Sequence, residues 1–278
     1  MSISHLFRTA LLTCVAVATT HAAEPLRIVL NNGRAIPLSA VTLQGNGLTL
    51  TGPLEGYTVG QIFPLESVDH ISGDKPTEIG LAIALLLSDK PTNALKLLEP
   101  IVESQRVSAK ISGNFWLEAA RASLVAYALM ENSAKCSQIG KEIAEATPQA
   151  GNEPFEALGK ALLLPSTTSS ADRETAFSDL TLNHLPADVC GYAAYFRGNS
   201  LKVTKKNAAA LESYLMVPCL FPTGNTILNA AAELKASEIL AALPDRREEA
   251  VALLHSCSDY APGSVLAVEA NKRLESLK

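Results

Sequence analysis

Hydrophobic and polar residues alternate in short runs from Leu26 to about Ser72, and beyond Lys75 the apolar positions recur every three or four residues. The first pattern predicts strands. Leu26-Arg27-Ile28-Val29-Leu30 runs into Asn31-Asn32-Gly33, residue types that tolerate the positive φ of a tight hairpin turn. Ala35-Ile36-Pro37-Leu38 and Val41-Thr42-Leu43 follow, and Gly45-Asn46-Gly47 turns the chain again. Taking Ala35 to Leu43 as one run, these with Leu48 to Thr51, Tyr57 to Ile62 and Leu65 to Ile71 make five short strands, expected to curl into a small barrel-like module over residues 23–74.

Gly73-Asp74-Lys75-Pro76 breaks this pattern, and Ala and Leu then replace the β-branched residues. Residues 75–262 read as paired helices, and 263–278 as a closing helix that starts near Ser264. Val265, Leu266, Val268, Ala270 and Leu274 are its expected packing side, with Lys272, Arg273, Glu275 and Lys278 in water. The expected fold class is mainly α: helical hairpins behind a small all-β module.

The N-terminus carries a different signal. Arg8 precedes an apolar run from Ala10 to Ala18, and Thr20-His21-Ala22 places small residues three and one before a cut after Ala22. Residues 1–22 therefore read as a secretory signal peptide. Cys14 lies inside the apolar run, without the small residues that precede a lipid-bearing cysteine. No later apolar run reaches bilayer length, and no Asn-x-Ser/Thr sequon follows Ala22, which favours a bacterial periplasm or secretion.

Composition narrows the function classes. With 28 acidic against 23 basic residues the chain offers no basic field for nucleic acid. No phosphate loop, dinucleotide fingerprint, paired metal motif or nucleophile elbow occurs, so no cofactor is expected and the chain reads as non-enzymatic. His184, Asp179 and Asp188 lie near Cys190 but without a glycine-shaped oxyanion loop. His255 and Cys257, two apart on a helix, diverge and cannot share a metal. His70 reads as structural, and Asp245 to Glu249 as a capped, solvated helix start.

Internal repetition is the strongest long-range signal. Ala210 is followed by Tyr214 and Pro222, and Ala250 by Leu254 and Pro262, at equal spacings. Cys136, Gly140 and Pro148 keep the spacing, while Ala94 with Leu98 and Ala176 with Leu180 keep its first half. Twelve residues before Ala210 stands Gly198, and Phe155-x-x-Leu158-Gly159-x-x-Leu162 has the form of a first helix. These residues resemble the tetratricopeptide repeat, in which small residues let two helices approach to about 8–9 Å. The markers are spaced 42, 40, 34 and 40 residues apart, so the repeats are degenerate and their loops vary. The preceding module is similar in outline to SH3-like or Sm-like barrels.

The resemblance implies a solenoid whose first helices line a groove. Carried onto this sequence, the groove positions are Glu118, Arg121, Glu153, Glu156, Lys160, Tyr192, Tyr195, Asn199, Lys202 and Lys235. Tyr192 and Tyr195 would be exposed anchors for an extended peptide, with Lys202 meeting a carboxylate. If Gly198 faces Ala210, Cys190 comes opposite Cys219, and a disulfide is expected there, with Pro218 ending the helix. Cys136 and Cys257 read as buried thiols. The implied function is an exported adaptor that binds an envelope protein or peptide; the alternative is a small-ligand or glycan-binding protein that uses the β module.

Overall fold

The computed structural model describes residues 23–147, 154–165, 167–182, 185–221 and 225–277. The leader with Cys14, and Pro148, Glu153, His184 and Pro222, lie outside the described residues.

The β segment has six strands rather than five and does not close into a barrel. One antiparallel sheet is ordered β2-β1-β6, from β1 (Arg27–Leu30), β2 (Ala35–Pro37) and β6 (Val68–Ser72). The other is ordered β3-β4-β5, from β3 (Val41–Gln44), β4 (Gly47–Leu50) and β5 (Ile62–Pro64). Tyr57 to Gln61, expected as strand, holds only an isolated bridge between Leu54 and Tyr57. Gly56 just before it and Gly60 within it take positive φ and make it a loop.

Two short 3-10 turns explain why one expected strand became two. Ile36-Pro37-Leu38-Ser39-Ala40-Val41 and Phe63-Pro64-Leu65-Glu66-Ser67-Val68 share a pattern, and each leaves one sheet through a 3-10 turn to enter the other. The halves share their hairpin pairings, although β1 meets β6 through a register shift that β3 and β4 lack. Ile36 pairs with Ile28 as Phe63 pairs with Leu48. Leu38 donates to the Leu26 carbonyl as Leu65 donates to that of Asn46. The module is thus built of two similar halves, each of which lends a strand to the other's sheet. Ile28, Leu30, Ile36, Leu48, Leu50, Phe63 and Ile71 fill its core, together with Ile111 from the helical part. There the Ile71 amide donates to the Ser112 carbonyl at 2.9 Å. Gly113 (φ +72°) allows that approach, since a Cβ would lie 3.2 Å from the Ile71 carbonyl oxygen.

Eleven helices follow among the described residues: α1 (Thr77–Leu87), α2 (Pro91–Ser104), α3 (Trp116–Leu129), α4 (Ser133–Ala146), α5 (Pro154–Leu162), α6 (Ser170–Leu182), α7 (Ala187–Val203), α8 (Asn207–Leu220), α9 (Thr226–Ala241), α10 (Arg247–Tyr260) and α11 (Val265–Ser276). Three hairpins share one turn. Asp89, Glu131 and Lys205 each take positive φ, and the next residue's amide returns to the Leu85, Tyr127 and Leu201 carbonyls. The marker residues Ala94, Cys136, Ala210 and Ala250 each donate to the residue four before them, at the helix entrance. Ala176 does not fit, lying well inside α6 and only half-buried.

Odd-numbered helices form an inner layer and even-numbered ones an outer layer. α3, α7 and α9 are buried nearly all round, whereas α4, α6, α8 and α10 bury one side. Small residues permit this crowding: α3 and α9 carry Ala119, Ala120, Ala122, Ala126, Ala230, Ala231 and Ala232 in the core. Inner helices pack in the order α1, α3, α5, α7, α9, and α1 then packs against both α9 and α11. The inner layer is a closed circuit.

Details at the helix ends depart from the sequence reading. α8 runs through Pro218 to Leu220, because a proline near the last turn removes a single bond. α10 starts at Arg247 with no side-chain cap, and Arg246 rather than Asp245 engages Glu249. On α11, Val268 is exposed and Arg273 is half-buried in ion pairs, reversing their expected faces.

Candidate functional site

The five inner helices α1, α3, α5, α7 and α9 begin at the same end of the circuit. Their entrances surround a pocket of about 590 Å³, lined by Lys75 just before α1, the first turns of α3 and α7, Phe155 of α5 and the cap residue Asn225 of α9. Each helix start presents partly unsatisfied N–H groups and the positive end of its dipole.

Three of the expected groove residues meet here. Glu118 pairs with Lys75 at 2.6 Å. One turn further on, Arg121 lies 3.8 Å from Asp188 and 5.0 Å above the Phe155 ring. Tyr192 reaches the pocket from below, 3% exposed, and packs edge-on against Phe155. Asn225 donates to its hydroxyl at 3.5 Å and, through Oδ1, accepts from the Leu228 amide that starts α9. Burial first, then the Glu118 and Asp188 carboxylates, raise the Tyr192 phenol well above its ordinary pKa and keep it protonated.

The other expected residues lie elsewhere. Tyr195 is a core residue, not an exposed anchor: its hydroxyl donates to the Leu87 carbonyl at 2.6 Å and its ring packs beside Phe196 and Tyr214. Asn199 accepts from the Tyr214 hydroxyl at 2.8 Å. Lys202 pairs with Glu238, and Lys235 faces Asp89 at 3.6 Å. Lys160 is exposed in an i,i+4 pair with Glu156. Curvature is the physical reason. An open solenoid would expose Tyr195, Lys202 and Lys235, but here α1 and α9 come together beside them.

The cysteines are free thiols in this structure, and the expected Cys190–Cys219 bridge is not formed. Cys190 is buried against α6, donating to the Leu180 and Leu185 carbonyls, while Cys219 is exposed on α8. Gly198 meets the Tyr214 ring instead of Ala210, so the register behind that pairing shifts by a helical turn. Burial and then Asp188 push the Cys190 thiol up, against a nucleophilic thiolate. Cys136 and Cys257 are buried. His70 is exposed, 2.9 Å from Asp69, and His255 is exposed on α10.

Lys75, Asn114, Asp188 and Asn225 were not singled out as binding residues. Asn225, directly before Thr226-Ile227-Leu228, carries a readable cap signal. Lys75 carries none, since it sits in the breaker segment between two periodicities. No group of His, Cys, Asp and Glu that could hold a metal ion occurs among the described residues. No helix among them is long and apolar enough to cross a membrane. Comparison of the chain with protein-family models, curated proteins and solved structures finds no match.

Proposed function

We propose that this chain is an exported binding protein of the bacterial envelope that takes a peptide segment of its partner into the inner-helix pocket without transforming it. One observation carries the reading: Glu118, Arg121 and Tyr192, drawn from two hairpins, converge with Lys75, Asp188 and Asn225 on a single cavity. A volume near 590 Å³ falls within the roughly 300–1,000 Å³ usual for ligand pockets. Apolar walls with a few placed polar groups are the usual makeup of such a site. The shared hairpin turns and entrance markers support a tetratricopeptide-like solenoid, here wound tightly enough for its first helix to meet the ninth. In that geometry the partner is held at one end of the inner layer rather than along a groove.

Affinity capture from the native cells tests this reading, using the wild-type chain and an Arg121→Glu variant shown to fold. The expected result is one or two proteins retained by wild type and lost by the variant. Identical recoveries from both would refute it.

A further inference from the structure

Ligand chemistry can be taken further, on the basis of that same pocket. Among the described residues, the four charged side chains that line it alternate in sign as Lys75 with Glu118 and Arg121 with Asp188. A ligand of one charge sign therefore gains no net attraction from them. A ligand carrying both an ammonium and a carboxylate meets each pair with its opposite. Exchange is cheap, because these side chains are 24–45% exposed and solvent-screened ion pairs are weak.

Three further features set the ligand's direction and size. The helix N-termini around the pocket add a positive bias, which favours the carboxylate beside them. Tyr192 accepts from Asn225, which leaves its phenolic O–H to donate, and it lines the pocket where a ligand carbonyl could accept. Ile83, Leu117 and Phe155 offer an apolar wall for a side chain.

We propose that the pocket binds a short free peptide as a zwitterion, its carboxylate toward Arg121 and Lys75, its ammonium toward Glu118 and Asp188, and its peptide carbonyl on the Tyr192 hydroxyl. This rests on the pocket being the binding site; a partner protein would then enter it by a chain terminus, which supplies one of the two charges.

The test is titration calorimetry on the chain from residue 23 onward, with dipeptides of apolar residues in L and D forms. N-acetyl and C-amide derivatives of any binder follow. Blocking either end is expected to weaken binding by about tenfold or more, and Tyr192→Phe by a smaller factor. Blocked forms that bind as tightly as free ones would overturn the proposal, as would no heat from any free dipeptide at concentrations of about 10 mM. If dipeptides fail while Arg121→Glu still loses a protein partner, the zwitterion falls and the pocket stands. Dipeptide binding unchanged in Arg121→Glu would place the site elsewhere and remove both.

Discussion

Gly198 and Gly80 show how one substitution changes sign with its surroundings. Both are helical, where alanine gains about 1 kcal/mol over glycine if space allows. A Cβ on Gly198 would lie 2.5–2.9 Å from the Tyr214 ring, which is locked by its bond to Asn199. A Cβ on Gly80 meets nothing within 4 Å. Gly198→Ala should therefore destabilise by about 1–3 kcal/mol, and Gly80→Ala should stabilise by up to about 1 kcal/mol, both read by urea denaturation.

Glu233 is the second decisive residue. It is 6% exposed on α9, and neither its Oε2 nor the Oδ1 of Asn229 one turn earlier has a hydrogen-bond partner. Burial holds the carboxyl above its usual range, opposed by a hydrogen bond from Ser256. A protonated carboxyl can donate to Asn229 and satisfy both oxygens. With the folded value above the unfolded one, near about 4.3, stability is full below that pH and declines as pH rises through the raised value. Glu233→Gln removes this loss. Its Tm should exceed that of wild type by about 2–4 °C at pH 8, with no gain at pH 4, in scanning calorimetry. An equal gain at both pH values would contradict the buried-acid account.

Among elements, the inner-to-outer turns are the most regular feature. Asp89, Glu131 and Lys205 hold a left-handed conformation that costs a side-chain-bearing residue about 1–2 kcal/mol, partly offset by the entropy glycine would lose. Glu131→Gly should thus raise stability by about 0.5–1 kcal/mol, with chemical denaturation as the measure. These turns were legible only indirectly, since none carries the glycine that normally marks them. The small markers at 94, 136, 210 and 250 were legible because close helix approach restricts residue size. Ala176 misled because α6 enters its hairpin at a different register. In the β module, alternation located most strands but not the bends: Pro37 precedes a 3-10 turn inside the run from Ala35 to Leu43, and Pro64 precedes one at the start of the run from Leu65.

At the scale of the molecule, local pattern has little to say about curvature. Alternating inner and outer helices follow from which helices are apolar all round, but the closure of α1 on α9 and α11 depends on small differences in packing angle summed over five hairpins. That closure turned Tyr195 into a core residue and drew Lys202 and Lys235 into partly buried ion pairs, while Glu118, Arg121 and Tyr192 kept access to the pocket. Its polar seam is testable. Glu238 accepts from Lys202 and pairs with Arg273 at 2.6 Å. Burial, then Lys235 and Arg273, lower the Lys202 pKa, so this lysine depends on its carboxylate partner. Glu238→Ala should cost about 1–2 kcal/mol, more in dilute than in molar salt, by thermal unfolding at the two ionic strengths.

The most direct test of the central claim, that the partner enters between the inner helices, is site-specific photocrosslinking in the native cells. A benzophenone side chain replaces Leu117 at the pocket wall in one protein and Lys96 on exposed α2 in another. The account predicts one discrete adduct from position 117, absent from position 96 and lost when Arg121→Glu is added. Adducts from position 96 alone, or from 117 regardless of Arg121, would contradict it.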